Sequence, residues 1–560
     1  MGINEFDAIV VGTGMSGGWA MRVLTEAGLK TLALDRGRMV EHGTDYVTEH
    51  KQPWEMPYGG GRVHPSDLEH YPIQRRTYAF SEYTRHWFIR DSDAPYAQES
   101  PFDWIQPDIV GGKSVLWGRQ SYRWSPMDFE ANLEDGHGTD WPIRYDDLAP
   151  WYDLVERTIG VSGSKEGLPQ LPDGVFQKPM EMNAAEKVAR DRIESAFPER
   201  RFIIGRCAVL TEPLGDRAAC HYCGPCNRGC STRSYYSTLT SALPAAVATG
   251  NLTLKSRQLV HSVIYKDGRA TGVQVIDMES GAFEEYSARI VFMCASAPGT
   301  VRIMLNSTSN EFPDGIANSS GVLGHYFLNH HARVGATGQM DGMLDRYYQG
   351  NRPNGIYIPR FRNIDNRTRR PEFVRGYGFQ GGASRSGWGR AESMRGFGKD
   401  FKQSIRTPGG WNISIQAFGE VLPYRDNVLR LDESLKDKWG MPALRFHVNR
   451  FDNEFAMRRD MVATAAEILE AAGARNVETY DRDHIAPGNN NHEMGGARMG
   501  RDPNTSVLNA WNQCHDVPNL FVTDGACMSS SACQNPSLTF MALTARAAHY
   551  AVEQLKSGAL

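Results

Sequence analysis

Three groups of residues in this 560-residue chain have the types and spacing to do chemistry. The first is Cys220-His-Tyr-Cys223-Gly-Pro-Cys226-Asn-Arg-Gly-Cys230, four thiols within 11 residues in a C-x2-C-x2-C-x3-C pattern. Spacing this compact suits bacterial iron–sulfur ligation, and Gly224 and Gly229 let backbone amides turn toward sulfides. Three or four ligands fit equally, so 3Fe–4S and 4Fe–4S clusters both stand. Zinc is the rival, although ribbon pairs usually lie roughly 12 or more residues apart. Free thiols or a disulfide form the plain alternative. The second group is His492, set in Asn489-Asn-Asn-His-Glu-Met-Gly-Gly-Ala-Arg-Met-Gly500, with Asn535 some 40 residues on. A neutral imidazole in a polar, Gly-rich loop is a candidate general base, because its pKa lies near working pH. The third is Gly12-Thr-Gly14-Met-Ser-Gly17, followed 18 residues after Gly17 by Asp35. Gly12 permits a tight turn, Gly14 a close approach of pyrophosphate, and Gly17 close helix packing; Asp35 can accept from ribose hydroxyls.

These residues need elements to hold them. Ala8-Ile-Val-Val-Gly12 reads as a buried parallel strand, residues 19–27 as a helix, and Thr31-Leu-Ala-Leu-Asp35 as the next strand. Together they make one βαβ unit whose helix N-terminus faces the phosphates. FAD and NAD are not separated by this fragment alone. Near the other end, Val517-Pro-Asn-Leu-Phe-Val-Thr-Asp524-Gly525-Ala526 runs as a strand into a turn. Asn535-Pro536-Ser-Leu then opens a helix through Leu555, with Pro at its preferred first turn. Its positive end suits the negative charge of a reduced flavin.

Taken together, these motifs resemble the glucose–methanol–choline (GMC) oxidoreductases. The resemblance extends to Val110-Gly111-Gly112-Lys-Ser114-Val-Leu-Trp117-Gly118, similar to the family's flavin-contacting loop. It also covers the strand Arg289-Ile-Val-Phe-Met-Cys-Ala295, and Val260 falls where the family sets backbone against adenine. It implies FAD contacts at Gly12, Gly14, Gly17, Asp35, Gly111, Gly112, Ser114, Trp117, Val260, Ala295, Asp524, Gly525, Ala526 and Pro536. The roles it implies are His492 as base and Asn535 as its hydrogen-bonding partner. There are two departures. No Ser-Gly-(apolar)-Gly signature follows Pro298, where the chain reads Leu305-Asn-Ser-Thr-Ser-Asn, and the flavin loop lacks a His for covalent attachment. Noncovalent FAD is expected, and both departures lean toward bacterial sugar dehydrogenases.

That branch implies a sugar or glycoside substrate oxidised at a secondary hydroxyl, with C3 of a glucoside foremost. Electrons would leave FAD through an iron–sulfur cluster at Cys220, Cys223, Cys226 and Cys230. It further implies a small subunit bearing the export signal, a cytochrome c subunit, and periplasmic location by co-export. Since the chain shows no signal peptide of its own, a cytoplasmic location is the alternative. A metal-free sugar oxidase using O2 is the rival activity. A cluster-bearing electron-transfer or scaffold subunit without catalysis is the other.

Composition bounds these readings. Hydrophobic residues make up 41% of the chain, and no run reaches 18 apolar residues, so no direct membrane span is predicted. With 61 Lys plus Arg against 65 Asp plus Glu, the net charge of −4 gives no basic field for nucleic acid. Nine Cys in this length are no disulfide framework; Cys207, Cys294, Cys514, Cys527 and Cys533 are scattered and read as packing thiols.

The fold class predicted is α/β (α+β overall): a Rossmann-like FAD domain built from both chain ends, plus a substrate domain with an antiparallel sheet. Residues 1–39, 107–125, 245–330 and 485–560 are assigned to the FAD domain, and 40–106 to an extended insertion covering the cofactor. Residues 126–244 are assigned to a helical region carrying the Cys loop (220–230), and 331–484 to the substrate domain, with Asn427-Val-Leu-Arg-Leu continuing its sheet. The Gly/Arg/Ser-rich stretch 376–410 reads as a solvated lid with Arg385, Arg390 and Arg395, or as a site for an acidic partner. His330-His331 either faces the pocket or is a buried, hydrogen-bonded pair.

Overall fold

A computed structural model describes residues 5–61, 63–347, 350–392 and 394–560. The β-branched run at the N-terminus forms strand Glu5–Val11 at the centre of a seven-stranded sheet. On one side it pairs in parallel with Thr31–Leu34, which pairs in parallel with Leu252–Lys255. On the other it pairs in parallel with Phe283–Met293. The latter strand also takes Leu520–Val522 in parallel, and its first half joins the antiparallel strands Arg269–Asp277 and Gln258–Lys266. Ile9, Val10, Val291, Phe292, Leu520 and Phe521 are fully buried, as parallel strands covered on both faces require. Helices Met15–Glu26 and Ser537–Ser557 pack together over this sheet. Both ends of the chain therefore build one nucleotide-binding framework.

A second sheet has six antiparallel strands in the order Arg475–Asp481, His331–Met340, Trp411–Gly419, Tyr377–Arg385, Ile356–Ile358, Ile203–Ile204. Trp411–Gly419 alternates buried and more accessible residues, the period-two pattern of a strand with one face on a core. Helix Asp452–Ala471 covers that face, and helix Ala184–Ala196 packs against both it and the sheet.

Two expectations are corrected. The strand Val428–Lys436 does not continue the six-stranded sheet; it pairs with Pro442–His447, which takes Ala97–Gln98 in parallel, in a separate three-stranded sheet. Apolar alternation reports a buried face but not which partner covers it. The stretch 376–410 is not a simple solvated lid either. It contains strand Tyr377–Arg385 and helix Gly398–Arg406. Arg385 donates to the carbonyls of Leu344, Arg346, Pro408 and Gly409, and Arg390 to those of Ser386, Gly387, Ser404 and Thr407. These two guanidiniums tie down their own loops. Among the described residues no helix is long and apolar enough to cross a membrane.

Candidate active site

A long cleft runs along the carboxyl ends of the parallel strands. It encloses about 250 Å3 and opens to solvent at its mouth, a concave site of the kind that takes a cofactor. Strand Glu5–Val11 ends in Gly12, whose φ of 91° is left-handed and whose hypothetical Cβ would stand 2.4 Å from the Cys294 carbonyl oxygen. Only glycine fits there. A Cβ on Gly17 would lie 1.9 Å from the Gly12 oxygen, so this residue seats the helix on the turn. Gly14 differs. A Cβ there meets nothing within 4 Å, because the residue borders open cleft. Helix Met15–Glu26 starts there with no side chain capping it, so its free N–H groups are available to an anion. These features fit the pyrophosphate of a dinucleotide.

Asp35 follows strand Thr31–Leu34 into the cleft. Its carboxylate accepts from the Thr13 hydroxyl, from the Thr13 amide at 3.0 Å and from the Gly37 amide at 2.7 Å. Burial raises its pKa, while Thr13, Gly37 and Arg36 oppose that rise. Val260 and Gln258 border the same end. Ala295, Asp524 and Gly525 line the middle. Burial pushes Asp524 up to about 6, and its carboxylate receives the Thr300 hydroxyl at 2.5 Å and the Ala526 amide at 2.9 Å.

The far end holds Gly112, Lys113, Trp117, Tyr78, His492 and Asn535. Here the loops from both chain ends converge. His492 Nε2 is 3.2 Å from Asn535 Nδ2, across 43 residues of sequence. Asn535 Oδ1 accepts from Gln380 Nε2 at 2.6 Å, a contact from the six-stranded sheet. On its other side, His492 Nδ1 lies 2.9 Å from His330 Nδ1. Burial, with His330 and Lys113 nearby, lowers the His492 pKa well below that of free imidazole. The ring is thus neutral and able to accept a proton. Lys113 Nζ sits 2.6 Å from both oxygens of Glu493, which is 3% exposed, so the ammonium is neutralised within the site.

Five of the residues named for FAD contact stand just behind the cleft wall. Gly17 packs under the turn, and Gly111 donates its amide to the Thr13 hydroxyl at 2.8 Å. The Ser114 hydroxyl bridges the Gly111 carbonyl and the Thr238 amide. Ala526 pairs with the Ala497 amide, and Pro536 precedes helix Ser537–Ser557. They shape the cleft through backbone and, at Ser114, through a buried hydroxyl. Sequence reasoning did not single out Lys113, Glu493 or Gln380. Opposite charges in two Gly-rich loops were the available signal for the first two, but 380 residues separate them. Gln380 gives no signal, being one amide in a strand.

Cys220, Cys223, Cys226 and Cys230 are free thiols, and among the described residues no three His, Cys, Asp or Glu side chains are gathered to hold a metal. Cys223 is exposed, and burial raises the pKa of Cys220 to about 11. Cysteine spacing sets which thiols a loop is able to bring together, whereas their convergence depends on the loop's own conformation. The donor chemistry is retained all the same. Cys226 lines a second cavity that shares Tyr78 and Ala79 with the cleft and is also bordered by Arg119. Arg119 is 6% exposed, and its Nε and Nη1 have no hydrogen-bond partner. A buried, unsatisfied cation beside thiols suits an anionic group there.

The architecture and cleft define a dinucleotide-dependent oxidoreductase of the α/β class with a His–Asn pair at the reacting end. The GMC oxidoreductase family pattern matches residues 6–332 with its N-terminal part and 423–544 with its C-terminal part, and the chain belongs to this family. It is 32% identical to a 2-methyl-1,2-propanediol dehydrogenase of Mycolicibacterium austroafricanum, over 98% of this chain and 95% of the relative. It is 27% identical to the fructose dehydrogenase large subunit of Gluconobacter japonicus, over 99% and 98% of the two chains. Its fold is similar to that of pyridoxine 4-oxidase from Mesorbium loti, with a TM-score of 0.57 at 15% identity, covering 97% of this chain and 98% of that one. The protein is accordingly an FAD-dependent enzyme of the GMC type.

Proposed function

We propose that this enzyme oxidises a secondary hydroxyl of a neutral sugar or glycoside to a ketone, with C3 of a glucoside as the first candidate. The observation that carries the proposal is the His492–Asn535 pair, 3.2 Å apart at the reacting end of the cleft. FAD, held noncovalently by the Gly12–Gly17 turn and the 110–118 loop, supplies the hydride acceptor. His492 Nε2 takes the hydroxyl proton, and the Asn535 amide holds the same oxygen without competing for that proton. Pairing of Lys113 with Glu493 removes the free cation that a sugar acid would call for, which supports an uncharged substrate. A small diol is the second reading, favoured by the 32% identical relative.

An iron–sulfur relay from the flavin to a cytochrome c subunit is the proposed route outward. Supporting it are the C-x2-C-x2-C-x3-C spacing, the wall that the Cys226 cavity shares with the cleft, and Arg119, whose Nε and Nη1 have no hydrogen-bond partner. Ligation requires the loop to draw its thiols together. A small export-bearing subunit and periplasmic location belong to the same proposal, encouraged by a relative described as a large subunit.

An anaerobic visible spectrum of the holoenzyme, titrated with methyl glucoside and separately with 1,2-propanediol, tests the substrate. Flavin bleaching by the glucoside, with a 3-keto product, is expected; bleaching by the diol alone overturns the sugar reading. Iron and sulfide quantification tests the relay. Peroxide formation by an iron-free preparation would favour the oxidase instead.

A further inference from the structure

His330 borders a small separate cavity behind the cleft wall. It is 2% exposed, and its two ring nitrogens make different contacts. Nε2 lies 3.0 Å from the Ser531 carbonyl oxygen and Nδ1 lies 2.9 Å from His492 Nδ1. A carbonyl oxygen carries no hydrogen, so the proton of that first contact belongs to His330 Nε2. Burial lowers the His330 pKa to about 4, so the ring is neutral and its Nδ1 is an acceptor. The contact with His492 needs one hydrogen, which therefore sits on His492 Nδ1. His492 Nε2 is left with a lone pair. The other end of the chain gives the same answer. With Asn535 Oδ1 occupied by the Gln380 amide at 2.6 Å, the Asn535 NH2 is the group that turns to His492 Nε2 and donates.

We propose that His330 is a positioning residue that fixes His492 in its Nδ1–H tautomer and so aims the basic Nε2 at the substrate hydroxyl. The proposal rests on His492 being the base. As the substrate O–H bond breaks, an N–H bond forms at His492 Nε2, and bound FAD would take up the hydride from the same carbon. The imidazolium so formed keeps donating Nδ1–H to His330 Nδ1, so neither ring has to turn. Few charged groups surround the pair. Lys113, itself paired with Glu493, faces His492, whereas Arg458 and Arg450 act on the adjacent His331. Ser531 is further held by its hydroxyl, which bridges the Val421 amide and carbonyl at 3.1 Å each. The carbonyl that sets the first proton is therefore itself fixed.

The test uses FAD-loaded, full-length enzyme. In His330→Leu, the anaerobic flavin-reduction rate is expected to fall about 100-fold, the scale of misplaced general-base catalysis, with flavin content and melting temperature retained. His330→Asn keeps an acceptor near the Nδ1 position and is expected to recover the rate to within about 10-fold of wild type. Labelling histidine with 15N, and assigning the His492 signals by their loss in His492→Ala, should show a protonated Nδ1 in wild type. In His330→Leu that exclusive tautomer is expected to disappear. Wild-type flavin reduction in His330→Leu, or an unprotonated His492 Nδ1 in the native enzyme, overturns the proposal. If His330→Leu does not fold, the native 15N spectrum and His330→Asn still decide it. Normal flavin reduction in His492→Ala would overturn the base assignment itself, which is a different outcome from His330 being dispensable while His492 is required.

Discussion

His492 and Asn535 are 43 residues apart and meet at 3.2 Å, whereas four cysteines within 11 residues do not converge on a metal. The contrast lies in what holds each group. His492 sits in a loop fixed from both sides, by His330 ahead of the strand His331–Met340 and by Asn535 at the start of the buried helix Ser537–Ser557. The cysteine loop has only a single turn of 3-10 helix, Cys226–Arg228, and scattered backbone bonds. Proximity in sequence supplies donors. Convergence requires rigid elements arriving from distant parts of the chain.

The comparison breaks most visibly if the gathered pair is dispensable. His492→Ala is expected to slow substrate reduction of the flavin by about 1,000-fold, within the usual range for loss of a general base, as measured by stopped-flow bleaching. Asn535→Ala should cost about 10–100-fold, since it removes one hydrogen bond to the reacting oxygen but leaves the base. Lys113→Met strands the buried Glu493 carboxylate and should lower stability by about 3 kcal/mol, read from the urea midpoint of the holoenzyme. Cys223→Ser, at the exposed thiol, should leave flavin content and stability within about 0.5 kcal/mol of wild type; if it removes iron along with electron transfer to a cytochrome, the loop does converge in the loaded enzyme.

Acid stability is affected as well. The His330 pKa falls from 6.5 to about 4 on folding. In that window the unfolded chain binds a proton that the folded one refuses. The stability is therefore full above about pH 6.5 and is lost as pH drops toward 4. The linkage amounts to roughly 3 kcal/mol, and His330→Asn should flatten that limb of an acid-titrated melting curve.

Much of the nucleotide end was legible in the sequence, because Gly12 and Gly17 are each demanded by a distinct steric fact and Gly14 leaves the cleft open beside them. Asp35 could be placed since a strand of known length precedes it. His492 and Asn535 were legible as types in Gly-rich and helix-opening contexts. Their pairings were not. His330, Glu493 and Gln380 lie 162, 380 and 155 residues from the groups they touch, separations that only tertiary pairing closes. The strand Val428–Lys436 was recognisable as a strand, but its sheet was not, because alternation specifies a face and not a neighbour.

The bond from Gln380 to Asn535 means that the antiparallel sheet holds one half of the reacting pair, while the Gly12–Gly17 turn that would hold the flavin follows a strand of the parallel sheet. Heat that loosened the antiparallel sheet first would therefore yield a yellow, cofactor-retaining and inactive protein. Thermal inactivation and flavin release would then be separate events, with inactivation the earlier.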